Sequence, residues 1–256
     1  DNMLMVVCGV AGVEVQTEVI WDIAQGNKMP RIIFINKLER ENSCFETVVE
    51  QMREKYGTGI VPLQLPMGKE ADFVGMIDLL NEKAYKFENG KSVEIPIPEE
   101  YMEEYEANRT YLIEVAAESC DELLLKYLEG EVPTNKEILS ALRMGIANGE
   151  IFPVVGGSVA KNMGIDILMD ICVDLLPIPT VNAAAPASAI VFKTLADPFV
   201  GKLSFIKVID GQFNAGDGIY NVSNDIEEKV NNFIIPCGKQ QSTVTTVNAG
   251  DIVAIA

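Results

Sequence analysis

A short polar segment places an amide, an amine and a carboxylate directly after an apolar run. Asn36, Lys37 and Glu39 follow four apolar residues at positions 32–35. An unbroken apolar run of this length is typical of a strand that is buried on both faces of a parallel sheet. Open α/β sheets bind ligands at the carboxyl ends of their strands. There a carboxylate can accept hydrogen bonds from a bound ligand. An ordinary polar exit from a strand is the alternative.

A second polar loop follows another apolar run. Residues 151–155 predict a buried strand, and residues 157–161 lead from it towards a helix at 165–176. If the two strands are neighbours, this loop and residues 36–39 meet at the same edge of the sheet. Its Gly-Gly-Ser sequence could cradle a phosphate, because small residues expose backbone N–H groups at the start of a helix. A tight turn without a ligand is the alternative.

The apolar pattern around these loops predicts an α/β fold. A strand at 3–7, a helix at 14–25, the strand at 32–35 and a helix at 43–56 make a parallel strand–helix–strand unit with a further helix. The first helix is expected to face the sheet with Val15, Val19, Trp21 and Ile23. The second is expected to bury Phe45, Val48, Val49 and Met52.

The pattern changes between residues 56 and 149, which predict a separate α+β unit. Short strands are expected at 61–65 and 73–79, and Asn89-Gly90 predicts a hairpin turn within 82–93. Acidic helices follow. Helix-capping boxes are predicted at Ser43 with Glu46, Ser119 with Glu122, and Thr134 with Glu137.

Negative charge is concentrated in this middle part. Residues 88–131 contain 13 acidic and 3 basic side chains, which is −10 of the net charge of −18. A solvated helical face is the ordinary explanation, and a docking surface for a basic partner is the alternative. The acidic pairs at 99–100 and 103–104 are expected to be solvated, with nothing near them to raise a pKa.

The last part of the chain has the pattern of an all-β domain. After an uncharged, alanine-rich linker, six short strands are expected at 188–195, 202–210, 218–222, 229–235, 242–247 and 252–256. Regular spacing with Gly, Asn and Asp turns favours a small barrel.

Composition excludes several kinds of site. The chain has no histidine, so it cannot contain a histidine base, a histidine-dependent triad or a histidine-ligated metal. Its five cysteines are scattered and predict reduced thiols in a cytosolic protein. The net charge of −18 argues against unspecific nucleic-acid binding. No apolar run is long enough to span a membrane.

Taken together, the motifs resemble those of the elongation factor G family of ribosomal translocation GTPases. Asn-Lys-x-Asp is the tetrad with which regulatory GTPases recognise guanine. The matching stretches occur in the order of the family and cover almost the whole chain. They are GVEVQTEVIW (12–21), PRIIFINKLER (30–40), LQLPMG (63–68), KYLEGEVPT (126–134), FPVVGGSVAKNMGIDILMD (152–170) and ADPFVGKLSFIKVIDG (196–211).

The resemblance implies a fold of three parts. Residues 1–55 and 150–178 would be the later half of a P-loop GTPase-type domain with a parallel sheet. Residues 56–149 would be the family's inserted α+β subdomain. A linker at 179–187 would precede an incomplete β-barrel of the translation-factor type at 188–256.

The resemblance also implies a guanine site for GTP or GDP. Asn36 would brace the nucleotide loops, Lys37 would lie on the base and Glu39 would take the guanine edge. Ser158, with the backbone of Val159 and Ala160, would support the acidic residue and meet the base oxygen. The phosphate loop, switches and catalytic histidine would precede residue 1. No catalytic or metal-binding residue is therefore assigned, magnesium is expected only in the longer parent protein, and the chain alone is expected to be inactive.

Two positions depart from the family's pattern and suggest a divergent paralogue. Glu39 stands where Asp is usual, and Val159 stands where Ala is usual. The implied parent is a cytoplasmic, GTP-dependent translocation factor. Alternatives are a non-catalytic ribosome-binding protein and a ribosome-protection or release-type relative. Expected partners are the ribosome, including its large-subunit stalk protein through the acidic insert, and a second copy paired through the exposed sheet edge at 3–7.

Overall fold

The chain divides into two compact units, residues 1–177 and 178–256. The structure is a computed structural model that describes residues 1–197, 201–238 and 240–256. Three residues of the ADPFVGKLSFIKVIDG motif, 198–200, therefore lie outside the described residues. Within the described ranges, no helix is both long and apolar enough to cross a membrane.

The first unit combines two sheets with six α-helices and two short 3-10 helices. In chain order its strands are β1 (Met3–Cys8), β2 (Arg31–Asn36), β3 (Ile60–Pro62), β4 (Gln64–Met67), β5 (Gly75–Asp78), β6 (Lys83–Glu88), β7 (Lys91–Ile95) and β8 (Phe152–Gly156). Its α-helices are α1 (Val15–Gly26), α2 (Phe45–Tyr56), α3 (Met102–Glu118), α4 (Asp121–Leu128), α5 (Asn135–Asn148) and α6 (Ile165–Leu175).

A four-stranded parallel sheet with the order β1-β2-β8-β3 is the centre of this unit. Successive side chains of β2 point to opposite faces, and both faces are covered. Ile33 and Ile35 pack in one core cluster with residues of α1 and α2. Ile32 and Phe34 pack in the other with residues of α3, α5 and α6. All four are at most 1% exposed, which confirms the predicted strand buried on both faces.

The predicted inner face of α1 was wrong in three of its four residues. Trp21 is buried, but Val15, Val19 and Ile23 are 78%, 46% and 53% exposed. The buried face of the helix is instead formed by Thr17, Trp21 and Ala24. Trp21 stacks on Tyr56, with ring centroids 4.0 Å apart. Burial of the largest side chain thus selects the helix face that contains it, and the β-branched residues on the other faces remain exposed.

The middle of the chain forms an antiparallel sheet with the order β4-β5-β6-β7, followed by α3, α4 and α5. The hairpin turn is confirmed: Asn89 and Gly90 join β6 to β7 with φ values of 51° and 75°. Two features differ from the predicted separate unit. β3, which was assigned to it, pairs with β8 in the parallel sheet. One core cluster also contains both the apolar side chains of α3 and α5 and those on one face of β2.

One of the three predicted capping boxes is present. Thr134 Oγ1 accepts from Glu137 N at 3.4 Å, and Glu137 Oε2 accepts from Thr134 N at 2.9 Å. The other two predictions were wrong, because α2 begins after Cys44 and α4 after Cys120. In the first case the hydroxyl of Ser43 donates to Leu38 O at 2.8 Å instead.

The second unit is antiparallel. Its strands are β9 (Ser188–Asp197), β10 (Gly201–Asp210), β11 (Gln212–Asn214), β12 (Gly218–Asn221), β13 (Ile226–Lys229), β14 (Phe233–Cys237), β15 (Gln240–Val244), β16 (Thr246–Asn248) and β17 (Ile252–Ile255). Five of them form a sheet with the order β15-β14-β17-β10-β9, and β11-β16 and β12-β13 form two ribbons. The all-β prediction is confirmed, but the strand expected at 229–235 is split between β13 and β14, with residues 230–232 between them.

Arg31, at the start of β2, is a buried cation. It is 1% exposed, and burial lowers the pKa of its guanidinium. Its nitrogens donate to Met29 O at 3.1 Å, to Trp21 O at 3.4 Å and to Gln25 Oε1 at 3.0 Å. The guanidinium also lies over the Trp21 ring, 4.4 Å from its centroid. Three acceptors and an aromatic face together compensate for its desolvation.

We expect Arg31→Lys to lower the free energy of unfolding of the first unit by about 1–3 kcal/mol. The three acceptors are bound by three separate nitrogens of the planar guanidinium, and the single nitrogen of a lysine cannot reach all of them while covering the ring. Urea titration followed by the fluorescence of Trp21, the single tryptophan of the chain, measures the change. Arg40→Lys, at an exposed position, is the matched control and should change stability by less than about 0.5 kcal/mol. Equal urea midpoints for Arg31→Lys and Arg40→Lys would contradict the conclusion that the buried contacts of Arg31 stabilise the first unit.

Candidate functional site

The two predicted polar loops lie side by side at the carboxyl end of the parallel sheet. β2 and β8 pair in parallel with Ile35 opposite Gly156, so both strands end at the same level. Oδ1 of Asn36 accepts two backbone hydrogen bonds, from Lys37 N at 2.8 Å and from Val159 N at 3.0 Å. One amide oxygen therefore joins the two loops, which meet as predicted.

Backbone contacts fix the first loop. Leu38 N donates to Gly157 O at 3.3 Å, and Gly157 N donates to Ile35 O at 3.0 Å. The Leu38 side chain is 3% exposed and belongs to the core, while its carbonyl accepts from the Ser43 hydroxyl. Leu38, between Lys37 and Glu39, therefore anchors the loop to the core. It occupies the variable position of the tetrad, so the sequence gave no reason to expect this role.

Lys37 has a left-handed backbone, with φ of 69°. Its side chain is half-buried and lines a groove with Cys8, Glu14, Thr17 and Asn36. The positive charge of Lys37 acts on the pKa of the Cys8 thiol, at the end of β1. Burial raises the pKa of the Cys8 thiol, but backbone hydrogen bonds and this charge lower it by more, so the net pKa lies below its ordinary value. Glu14, which lines the same groove, opposes this effect of Lys37.

Glu39 presents a buried oxygen without a partner. Its side chain is 11% exposed, and Oε2 has no hydrogen bond. The other oxygen, Oε1, is 4.0 Å from Nε of Arg40, a loose contact with a mostly exposed side chain. A buried carboxylate oxygen without a donor costs free energy, and most buried polar groups have a hydrogen-bond partner. The geometry therefore gives Glu39 spare capacity to accept hydrogen bonds.

The second loop is closed on itself. Ser158 is fully buried, and its backbone exchanges two hydrogen bonds with Met163, at 3.0 and 2.9 Å. Its hydroxyl oxygen accepts from Lys161 N at 3.1 Å. The hydroxyl does not donate to Oε2 of Glu39, because that atom has no partner. Val159 and Ala160 are exposed at the tip.

The glycines before Ser158 serve the packing of the turn. A Cβ at Gly157 would lie 2.4 Å from Met163 O and 3.1 Å from Cζ of Phe34. The N–H groups of Gly157, Ser158 and Val159 all donate within the protein. They are not free to converge on a phosphate, which favours a tight turn over a phosphate cradle.

Two features were not anticipated from the sequence. Asn162 Nδ2 donates to Gly90 O at 2.9 Å, which connects the second loop to the β6–β7 turn. A single polar residue in a loop gives no signal for such a contact across the chain.

The acidic pairs were also expected to have ordinary acidity. In fact desolvation and the charge of Glu46 raise the pKa of Glu104.

Two family signatures match the chain in succession. Residues 1–178 match the elongation factor Tu GTP binding domain, and residues 186–256 match elongation factor G domain 2. The elongation factor G-like protein of Thermotoga maritima is 35% identical over 273 aligned residues, covering 100% of this chain and 39% of that protein. Elongation factor G of Mycoplasma pneumoniae is 36% identical over 276 aligned residues, covering 100% of this chain and 40% of that protein.

A solved structure agrees with these matches. A crystal structure of a protein from Thermus thermophilus superposes with a TM-score of 0.87 at 29% identity, covering 100% of this chain and 38% of that one. The chain spans about two fifths of the length of the relatives that it matches. The two signatures, their order and the relatives that share them show that the chain belongs to the elongation factor G family of translational GTPases.

Proposed function

We propose that this chain recognises the guanine base of GTP and GDP within a cytoplasmic, GTP-dependent factor that acts in ribosomal translocation. The six proposed base-site residues are Asn36, Lys37, Glu39, Ser158, Val159 and Ala160. The observation that carries the proposal is the buried, unpartnered Oε2 of Glu39 beside the two loops that Asn36 joins. The names of the relatives supply the process, because elongation factor G is among them.

Each residue has a role that follows from its position. Glu39 accepts hydrogen bonds from the ring N–H and the amino group of guanine, and the stem of Lys37 lies along the base. Asn36 holds the loops together through its amide oxygen. The N–H of Val159 is occupied by that oxygen, so the N–H of Ala160 is the better donor to the base oxygen. Buried Ser158 shapes the loop that carries it.

The proposed ligand fits the groups that are present. Guanine offers two adjacent donors, and a carboxylate accepts two parallel hydrogen bonds. Adenine presents an acceptor and a single amino group at the corresponding edge, so it cannot satisfy the carboxylate in the same way. A buried polar group that is left unpaired penalises the wrong ligand strongly. The site residues therefore supply base specificity. Magnesium would accompany the phosphates in the parent protein and is assigned to none of these residues.

We expect Glu39→Gln to weaken binding of GDP by about 1.5–3 kcal/mol, because a charged acceptor of two hydrogen bonds is lost. Binding of ADP should stay at its initial level. Titration of the isotope-labelled chain with each nucleotide, followed by the amide resonances of Lys37 and Ala160, measures both affinities. Glu41→Gln makes the same change at an exposed position two residues away and should leave GDP binding unaltered. GDP and ADP binding with equal affinity to the natural chain would refute the proposed base site.

We further propose that the acidic insert docks the large-subunit stalk protein of the ribosome. Glu99, Glu100, Glu103 and Glu104 are exposed and lie around the start of α3. Clustered exposed carboxylates attract a lysine-rich partner quickly and weakly, with strong dependence on salt.

Association of the chain with the cognate stalk domain is expected at low salt and should fade near about 0.5 M salt. Changing the four glutamates to lysine should abolish it. Glu227→Lys with Glu228→Lys, on the exposed strand β13, is the control for altered net charge and should retain binding. Stalk-domain titrations that move no amide resonance of the insert, or move them equally in the lysine variant, would leave a solvated face as the explanation.

We also propose that two copies of the chain associate through β1. This strand is at the edge of the parallel sheet, and its Leu4 and Val6 are 44% and 57% exposed. An apolar edge strand favours pairing with another chain, and a charged residue on the edge prevents it. Val19 and Ile23 of α1 add exposed apolar area in the same unit.

Sedimentation should therefore show concentration-dependent association that Val6→Lys removes. Val173→Lys, on the exposed side of α6, changes the charge equally and should leave association intact. A monomer at all concentrations would contradict pairing through β1. Loss of association in both variants would assign the effect to net charge.

A further inference from the structure

The β6–β7 turn lies against the loop that follows β8. Asn162 Nδ2 donates to Gly90 O at 2.9 Å. Ser92 donates twice to Asp166, from its N to Oδ2 at 3.0 Å and from its hydroxyl to Oδ1 at 2.6 Å. These pairs are 72 and 74 positions apart in the chain. The four residues form two adjacent ties between the insert and the segment that follows β8, which we call the hairpin clasp.

The hairpin clasp is closely packed. Gly90 has φ of 75°, which other residues rarely adopt, and a Cβ there would lie 3.1 Å from Nδ2 of Asn162, so that side chain would have to shift slightly. Phe87, just before the turn, packs edge-on against Phe73, with ring centroids 5.5 Å apart. Desolvation raises the pKa of Asp166, but the two Ser92 donors and backbone N–H groups lower it by more, so the carboxylate is held charged.

The other side of the same loop reaches the proposed base site. Asn162 N donates to Val159 O at 3.2 Å, and Val159 N donates to Asn36 Oδ1 at 3.0 Å. The loop therefore has two external supports. Asn36 holds the Val159 side, and the hairpin clasp holds the Asn162 side, with Ala160 between them.

We propose that the hairpin clasp positions the loop at residues 158–163 for the guanine base. Asn162, Ser92 and Asp166 are thus positioning residues for nucleotide binding as well as the attachment of the insert. This inference rests on the proposed function. A loop that is ordered before binding costs less to immobilise when the ligand arrives, so its supports raise affinity without touching the ligand.

Coupling in one direction implies coupling in the other. If the hairpin clasp strengthens guanine binding, a bound nucleotide must strengthen the hairpin clasp by the same factor. A protein partner that pulled the turn away would weaken nucleotide binding, and nucleotide would oppose that partner. The insert would then act on the nucleotide site through two specified contacts.

Four variants of the full chain test the inference. Asn162→Asp keeps the shape of the side chain and tolerates the observed φ of 52°, but it replaces the donor to Gly90 with an acceptor. Ser92→Ala removes the hydroxyl donor to Asp166, and Ser92→Thr restores it. Asn89→Asp makes the matched change at an exposed residue of the same turn, whose φ is 51°.

Asn162→Asp and Ser92→Ala should each weaken GDP binding by at least about fivefold. The amide of Val159 should also exchange faster with solvent. Ser92→Thr and Asn89→Asp should behave as the natural chain. Unfolding followed by Trp21 should shift much less than GDP affinity, because the hydrogen bonds of the hairpin clasp are exposed and contribute little to the stability of the unit. A purely structural attachment would instead lower stability and leave nucleotide affinity unchanged, and that result would overturn the inference.

The outcome separates this inference from the proposed function. If the natural chain does not prefer GDP to ADP, the proposed base site fails, and exchange of the Val159 amide alone decides whether the hairpin clasp orders the loop. Faster exchange in Asn162→Asp and Ser92→Ala supports the clasp. Unchanged exchange in both overturns it. If GDP is preferred and both variants bind it normally, the base site stands and the clasp fails.

Discussion

The amide oxygen of Asn36 is the contact on which the geometry of the site depends. It accepts from the N–H of Lys37 in its own loop and from the N–H of Val159, 123 positions later. An aliphatic residue at this position would leave both N–H groups without their acceptor, and the backbone hydrogen bond from Leu38 to Gly157 would remain to join the loops. The contact is possible because β2 and β8 are adjacent parallel strands that end at the same level. The sheet brings the loops together, and one side chain fixes their spacing.

The parts of this arrangement that could be predicted from the sequence are those with a periodic or local signal. The four residues of β2 form an unbroken apolar run, and they are buried on both faces as such a run requires. Asn89-Gly90 and Thr134 with Glu137 each carry their own turn or cap chemistry, and both features are present. The local sequence pattern gave a wrong prediction where the side chain made a competing contact elsewhere. Ser43 has the right spacing for a cap, yet its hydroxyl donates to the carbonyl of Leu38 in the loop after β2.

Most of the remaining differences between the predictions and the structure arise where distant residues determine which side chains are buried. The face that α1 buries depends on two contacts of Trp21, the stacking on Tyr56 and the guanidinium of Arg31. Both partners lie outside the helix, so its apolar pattern does not show these contacts. The insert likewise has a composition typical of an independent unit. Its helices nevertheless share a core with Ile32 and Phe34, because that face of the sheet would otherwise remain exposed. The proposed site residues were found from their types, whereas Asn162 was missed, since its partner lies in the insert.

Glu39 shows how the fixed frame limits adaptation at the site. The main chain beside it is fixed by two hydrogen bonds at Leu38, to Gly157 and from Ser43. The loop therefore cannot retreat to make room for the methylene by which glutamate exceeds aspartate, and the side chain itself must absorb that length. The extra rotatable bond raises the entropy cost of ordering the carboxylate on a ligand. Its near-complete burial reduces that cost, because an 11% exposed side chain has already lost much of its freedom. Burial thus offsets the longer side chain and keeps the unpartnered oxygen ordered next to the loop that Asn36 holds.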